Sequence, residues 1–544
     1  MRKNCRLLSL FIAAAISASA LSGCGSADKK TSEPAAVVPD YLNTEGFPIV
    51  KQPIKISVMV ANSANQPDFN TIENMKEYEK MTGVETDWIN IPNGSANEKI
   101  SVAFASDALP DAFLKCGAVI NNVNQLRFGS DGMIMDLNKN GMLEKYAPNF
   151  MKYYNKYDDV KSAVTFPNGA VYSFPQGIES NAVKVAGKTF YNQKWLDKLG
   201  MKEPTTTDEF YTLLKAFKDN DMNGNGKKDE IPLSSSNISY IMYALQGAFG
   251  LSNRGMHDEL VDMDEDSGKP RLMATSNAYK ELLQYLNKLY SEGLLDNEIF
   301  TMKSPQYVAK HSEGLIGVFN YTNLTTIPSD AAKNFTGATV ALKGPHGDQL
   351  WTPVRSQLHS TGAFIITKEN KYPEATIRWV DYFYSDAGNL FYNFGIEGKT
   401  YNKQPDGKYK FVDSVYDQIN KGIPYDAAVA PLVPIGGRNP LFSKEPYFYG
   451  GEVEPIPAKA ANDMVKYFPK DIWPILNFTS EENSELTVVK TDIKNYIDLM
   501  TADFITGKKS LSEWDNYVKQ INTMGADRLL AIYTKALKRI GKVK

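Results

Sequence analysis

The stretch Asp219-Asn220-Asp221-Met222-Asn223-Gly224-Asn225-Gly226-Lys227-Lys228-Asp229-Glu230 crowds carboxylates, carboxamides and glycines together. Hard divalent cations such as Ca2+ take oxygen ligands, and a tight loop holding one needs glycine at its sharp turn. Two registers compete. With Asp219 first, ligands fall at Asp219, Asp221 and Asn223, Gly224 takes the sharp turn, and Glu230 stands where an EF-hand has its last carboxylate. With Asp221 first, the ligands are Asp221, Asn223, Asn225, the carbonyl of Lys227, Asp229 and Glu230. That register puts Pro232 where an EF-hand has its final acid, and Pro232 also bars a normal exit helix. Both registers share Asp221, Asn223 and Glu230. The competing reading is a solvated polar turn, which Asn and Gly favour unaided. A cation here is expected to be structural, pinning the turn that follows a helix.

The other residue placed for chemistry is Cys24. Arg2 and Lys3 precede an apolar run from Leu7 to Ala20 that is broken only by serines. That is the layout of a secretory signal peptide, too short to span a bilayer. The run ends in Leu21-Ser22-Gly23-Cys24, which resembles a bacterial lipobox, where the Cys thiol is acylated (palmitate-type) and becomes the new N-terminus. Residues 1–23 are therefore expected to be a signal peptide, Cys24 the lipidated residue, and 24–45 a tether rich in Ser, Lys, Glu, Pro and Ala. Cys5 falls in the removed segment, so Cys116 is left alone and reads as a small buried residue.

Recognisable catalytic motifs are absent. There is no HExxH and no GxSxG. The four histidines, at 257, 311, 346 and 359, are scattered. A net charge of -3 without a dominant basic block argues against nucleic acid as a partner. No later stretch approaches a membrane span.

The elements that must position these residues follow from local patterns. Ile54 to Val60 alternates like a strand, and Asn70-Thr71-Ile72-Glu73 has the spacing of a capping box for a helix to Met81, stopped by Gly83. Val84–Ile91 is a second strand, 97–106 a helix, and 109–114 a third strand. This βαβαβ order marks an α/β lobe with a largely parallel sheet. Further on, Thr189–Tyr191 reads as a strand, Gln193–Leu199 as a helix ended by Gly200, and Thr206-Thr207-Asp208-Glu209 as a second capping box. Helices are expected over 279–292, 374–385 and most of 486–540, with Ser510 a cap, and strands over 314–319 and 363–367. The chain is thus read as leaving one α/β lobe, building a second and returning. The boundaries expected are 46–185 with part of 310–400 for the N-terminal lobe, and 186–310 with 400–544 for the C-terminal lobe.

Several stretches carry a family resemblance. Phe104-Ala105-Ser106-Asp107-Ala108-Leu109-Pro110-Asp111 is similar to the "ASGDLPD" element of extracellular solute-binding proteins of carbohydrate ABC importers. Tyr191 to Gly200 with Pro204-Thr205-Thr206 looks like their "YNKDWLDKLGLKxPTT". Tyr372 to Ala375 with Trp379 to Ser385 resembles "PEAAxRWxDYLYS", and Gly395 to Tyr401 the "GxEGxxY" turn. The resemblance spans nearly the whole chain after the tether. It is nearest the branch of alginate-oligosaccharide binders and LplA-type lipoproteins of Gram-positive bacteria. It implies an α/β, periplasmic-binding-protein-like fold, class II-like, with two lobes on a hinge and a largely helical C-terminal part. It implies no enzyme, but a lipid-anchored receptor on the extracellular face of the cell membrane. That receptor binds an oligosaccharide between its lobes and hands it to permease subunits driven by an ATPase. This chain has no Walker A motif, so hydrolysis must belong to a partner. The alginate binders use the Asp221-first loop register, which implies Ca2+ on Asp221, Asn223, Asn225, Lys227, Asp229 and Glu230. The chain is read as a monomer.

A glycan is held by aromatic faces and by planar polar groups on its hydroxyls. The aromatic content, 11%, suits that use. Loops at strand ends should supply both kinds of group. The candidates are Asn62, Gln66 and Asp68 after the first strand, Lys115 after the third, and Phe174 and Glu179 in a Pro/Gly loop between lobes. Asn320 and Tyr321 follow a buried strand, Trp351 and Arg355 lie in a polar loop, and Glu397 and Tyr401 form the Gly-rich turn. Arg355 and Lys115 suit an acidic sugar or a salt bridge equally. Trp195, Trp379 and Trp514 fit core positions of helices, whereas Trp351 and Trp473 do not lie on helices. Two further classes stay open: a secreted carbohydrate-active enzyme (hydrolase or lyase), and a peptide-binding or sensor lipoprotein.

Overall fold

Along Ile54–Asn62 (β1), buried and more exposed positions alternate at first and then give way to a run buried on both sides, as a central strand requires. The helix Glu73–Thr82 follows and ends at Gly83, whose φ of 72° is left-handed and where a Cβ would lie 3.0 Å from Val50. Val84–Pro92 (β2) and Ala112–Leu114 (β3) both pair with β1 in parallel. The βαβαβ unit is therefore present. Its first helix starts later than the Asn70–Glu73 signal suggests. Asp68 caps a single 3-10 turn, Phe69–Thr71, so the chain makes that turn before the helix opens at Glu73.

The chain then runs through Phe174–Ile178 (β4) into a second sheet of Lys188–Asn192 (β5), Ile231–Ser234 (β6), Ile316–Tyr321 (β7) and Phe335–Gly337 (β8). It returns through Leu358–Ile366 (β9) and Phe442–Ser443 (β10). The first sheet has six strands in the order β10-β4-β9-β3-β1-β2, and the second four in the order β8-β5-β7-β6. Each sheet carries its own helices, giving two α/β lobes. This computed structural model describes residues 38–544, and the body discussed is Tyr41–Lys544. The signal-peptide segment, Cys24 and most of the tether lie outside the described residues.

Lobe membership departs from the expected boundaries. Ile316–Tyr321 pairs with β5 and β6 in the second sheet, so the part of 310–400 in the first sheet is Leu358–Ile366. The segment after 400 stays with the first lobe as far as β10, where Glu73 and Asn74 donate their backbone N–H groups to Pro431 and Leu432. Strand pairing is non-local, so a strand's own hydrophobic pattern does not say which sheet it enters.

Aromatic packing fixes the first core. The Tyr78 hydroxyl donates to the Trp379 carbonyl at 2.7 Å, tying the first helix to the helix Pro373–Asp381. In the second lobe Trp195 and Phe217 meet edge to face, with ring centroids 5.1 Å apart. The long helix Ser480–Thr506 closes that lobe, opened by a reciprocal capping box between Thr479 and Glu482. The helix Asn277–Ser291 packs along it.

Among the buried polar groups without a partner is an imidazole. His311 is 2% exposed, boxed by Tyr307, Phe319 and Phe335, and neither ring nitrogen is hydrogen-bonded. Burial pushes its pKa from 6.5 down to about 3. The unfolded chain thus takes up a proton that the folded chain refuses until about pH 3. Stability is full above pH 6.5 and falls as pH drops through that window. Near pH 5 this group alone should cost about 2 kcal/mol. Replacing it, His311→Leu, should flatten the decline in urea-unfolding free energy between neutral and mildly acidic pH by about that amount. An unchanged slope would remove the imidazole from the account.

Candidate functional site

The parallel strands β1 and β3, and the strand β4, all end at the edge of the first sheet where the chain crosses to the second lobe. Three crossing segments lie there: 179–187 outward from β4, 352–357 inward to β9, and 444–454 outward from β10. They run side by side as a ribbon. Ala186 N donates to Pro353 O at 2.8 Å, Arg355 N to Lys184 O at 3.0 Å, Ile178 N to Gln357 O at 2.9 Å, and Glu179 N to Ser443 O at 2.9 Å. Close approach requires Gly177, because a Cβ there would lie 2.2 Å from the Phe442 ring. These crossings join the two sheets, and the candidate groups stand at strand ends near them.

Glu179 belongs to these crossings. It accepts from Lys156 Nζ at 2.8 Å and Tyr157 OH at 2.5 Å, with Lys444 Nζ at 3.6 Å. Burial works against its charge, but these donors outweigh it and hold the carboxyl below its ordinary pKa. Lys188, at the start of β5, is 1% exposed and donates to the carbonyls of Ala182, Val185 and Thr322, each at 2.9 Å. Away from the ribbon, Asn477 Nδ2 reaches the carbonyls of Ser162, Ala163 and Thr165, and Asn477 Oδ1 accepts from Asn122 at 2.5 Å. The chain leading into the long second-lobe helix is therefore pinned to the first lobe as well.

On the first-lobe wall, Asn62 Nδ2 donates to Asn90 at 2.9 Å and Asn90 donates on to Asp68 at 2.7 Å, so Asn62 and Asp68 belong to one chain of contacts. The Asn62 Oδ1 atom is buried without a partner. Gln66 is a clamp: its amide donates to Ala430 O at 3.1 Å and its Oε1 accepts from Ile435 N at 2.6 Å. Lys115, directly after β3, donates to the Ile435 carbonyl. On the second-lobe side, Asn320 is buried and donates to Thr189 Oγ1 at 2.7 Å, while the Tyr321 ring lies 4.9 Å from that of Tyr240. Arg355 lies on the inward crossing within electrostatic reach of Glu452, Tyr240 and Tyr243.

Three expectations change. Phe174 is not in a loop. It is a fully buried residue of β4, against Phe150 and Tyr384, because the Pro/Gly pattern around it still permits a strand. Trp351 packs in the second-lobe core at 3% exposed, as does Trp473 at 2%, so neither offers a free face. Tyr401 is buried against Phe394 and Tyr409 in a hairpin, with Glu397 exposed in its turn beside the Lys399–Glu73 ion pair. Residue types alone did not point to Tyr240, Asp426, Arg438 and Glu452. A glycine pair before Arg438 was the one local signal.

The histidines nearby are neutral. Burial, then Arg355, brings His257 down to about 4. Burial, then Arg355 and Arg438, brings His359 to about 3.

The acidic loop folds on its own hydrogen bonds. Asp221 Oδ1 accepts from Gly224 N at 2.8 Å and Asn225 N at 3.2 Å, and its Oδ2 from Gly226 N at 2.9 Å. Although desolvation opposes it, these donors leave the Asp221 carboxyl below its ordinary pKa. Asp229 accepts from Asn223 and Asn225, while Glu230 Oε1 accepts from Met222 N at 2.5 Å and Asn223 N at 3.2 Å. Among the described residues no three His, Cys, Asp or Glu side chains gather as metal ligands in this arrangement. The donor set nevertheless fits a hard cation. It is all oxygen, and Glu230 Oε2 is buried with no partner. Asp219 ends the preceding helix, exposed, outside this network.

Residues 70–390 match the family model described as bacterial extracellular solute-binding protein. The chain is 29% identical over 535 residues to the fructooligosaccharide ABC transporter substrate-binding protein FusA of Streptococcus pneumoniae, covering 95% of each. It is 24% identical to the polygalacturonan/rhamnogalacturonan-binding protein YtcQ of Bacillus subtilis, covering 92% of this chain and 94% of that one. The solved structure of FusA with kestose superposes with a TM-score of 0.73 at 28% identity, over 89% of this chain and 99% of that chain. A FusA EF-hand mutant with fructo-nystose gives a TM-score of 0.70 at 27% identity, over the same 89% and 99%.

The Gln66 clamp yields a test of structure against ligand contact. Gln66→Ala should strand the Ile435 N–H and the Ala430 carbonyl and cost about 1–3 kcal/mol of stability. Glu397→Ala, at an exposed turn, should stay within about 0.5 kcal/mol. Urea unfolding of the two variants measures both.

Proposed function

The chain belongs to the bacterial extracellular solute-binding proteins, and from that membership we propose that it captures an oligosaccharide between its lobes and passes it, unaltered, to the permease of an ABC importer. The observation that carries the reading is the pair of sheets joined by side-by-side crossings. Planar polar groups and tyrosines stand at strand ends near those crossings on both sheets. Such a pair of lobes can close over a ligand by hinge motion. Amides, guanidinium and phenol groups suit the hydroxyl-rich surface of a glycan. FusA and YtcQ are named for binding oligosaccharides or polysaccharides, which supports the same class here. Of the sequence candidates, Asn62, Lys115, Asn320, Tyr321 and Arg355 are those whose placement favours contact, joined by Tyr240.

The anchor proposed is an acyl chain on Cys24, which would keep the receptor on the outer face of the cell membrane beside its transporter. Among the described residues no helix is long and apolar enough to cross a membrane. A Ca2+ ion proposed on Asp221, Asn223, Asn225, Lys227, Asp229 and Glu230 would complete the orphaned Glu230 oxygen and stiffen the turn after the helix Thr207–Asp219. The description of FusA as having an EF-hand supports it.

Two measurements test this. A ligand that binds only the folded state raises the melting temperature by mass action. Oligosaccharides should do so and peptides should not, and the sugar should be recovered intact after prolonged incubation; cleavage products would replace this reading with an enzymatic one. Chelation of Ca2+ should lower the melting temperature of the parent and leave that of Glu230→Gln nearly unmoved. Equal responses would remove the ion from the loop.

A further inference from the structure

Two cations stand on left-handed backbone at the same end of the first sheet. Lys115 has a φ of 62° and Arg438 one of 61°. Non-glycine residues held there cost on the order of 1 kcal/mol or more, and such strain gathers at ligand clamps. Strain alone would assign nothing, but the surroundings agree. The Lys115 side chain is 8% exposed, and the carbonyl of Ile435 is its hydrogen-bond partner. At Gly436 the position a Cβ would take is 3.6 Å from Lys115 Nζ and 4.0 Å from Ser63 Oγ. That Ser63 hydroxyl is buried with no partner. The backbone of Arg438 is fixed by Gln176 Oε1, 2.6 Å from its N–H, and its side chain is exposed. His359 lies within electrostatic reach of both Arg438 and Arg355, and its Nδ1 is buried without a partner.

Among the described residues, none of Lys115, Arg355 and Arg438 has a carboxylate at ion-pair distance. Asp426 and Glu452 are the acids in electrostatic reach. Burial, then Glu452, holds the Asp426 carboxyl above its ordinary pKa. The two neutral histidines add no charge of either sign. No ion pair answers any of the three cations, and Lys115 is desolvated with one carbonyl as its partner, an arrangement that is costly unless an anion arrives to answer it.

Resting on the oligosaccharide reading above, we infer that the ligand is an acidic oligosaccharide, with the carboxylate of a uronic-acid residue seated between Lys115 and Arg438. The guanidinium fork matches a planar carboxylate two bonds at a time, the ammonium supplies a point charge, and the Ser63 hydroxyl has a free donor for the same group. Lys115 and Arg438 are then the specificity-determining pair.

The experiment is calorimetry on the full chain. The probes are oligogalacturonides and alginate oligomers, each beside its carboxyl-reduced counterpart, with a fructo-oligosaccharide and a sulfated neutral oligosaccharide as further arms. An acidic oligomer should bind at least ~30-fold tighter than its reduced form, and its affinity should fall with added salt. Lys115→Gln and Arg438→Gln should each lose about tenfold or more for the acid while changing the reduced sugar by less than about threefold. Unfolding curves for both variants separate lost binding from lost fold. Tight binding of the fructo-oligosaccharide or a reduced oligomer, with the acids excluded, would overturn this inference and leave the oligosaccharide reading standing. Preference for the sulfated sugar would overturn the carboxylate. Acid binding that neither variant weakens would overturn the roles of Lys115 and Arg438. Failure of every sugar would overturn the oligosaccharide reading as well.

Discussion

The ribbon of three crossing segments is the constraint on which the rest of the molecule depends. Each lobe has its own sheet and its own packed core, so nothing in either core requires the other lobe. The lobes are held in relation by backbone hydrogen bonds between crossings that run side by side, reinforced by the Asn477 contacts. Backbone bonds fix spacing without filling the space beside them. That leaves the strand ends beside the crossings free to carry polar groups. Even the small details serve the ribbon. Gly177 exists as glycine so that Phe442 can lie against β4, and Glu179 gathers two lysines and a tyrosine around the point where the chain leaves the first sheet.

Charge is handled differently at Lys188 and at Lys115. Lys188 is almost fully buried, yet its three donors each meet a carbonyl. Burial still pulls its pKa down to about 7, and the hydrogen bonds make its position tolerable. Glu179 is satisfied by cations. Lys115 suffers the same desolvation, with its pKa also near 7, but has a single carbonyl and a like-charged neighbour in Arg438. The two lysines differ in how completely the protein itself answers their charge.

Much of the fold was legible because it is local. Gly83 and Gly200 end helices through left-handed backbone, Thr206 caps one, and the alternation of β1 is written in its residues. Strand partnership was not legible. Ile316–Tyr321 and Leu358–Ile366 both read as buried strands, yet one enters the second sheet and the other the first. The site divided in the same way. Strand-end candidates such as Asn62 and Tyr321 do lie at the sheet edges. Phe174 and Trp351 do not, because an aromatic ring in a Gly/Pro-rich stretch is equally suited to core and cleft until the long-range packing is known. Gln66 shows a third outcome, a polar residue at the right place whose hydrogen bonds are spent on Ala430 and Ile435. Arg438 and Glu452 depended on which crossing the chain takes, which no local pattern encodes.

The burial of the tryptophans has a practical side. The chain has six, and Trp88, Trp195, Trp351, Trp379, Trp473 and Trp514 are all at most 5% exposed. Their indoles are shielded within one lobe or the other, so their emission should be largely blind to domain closure. An optical sensor made from this receptor would need a dye or a new indole grafted onto the rim.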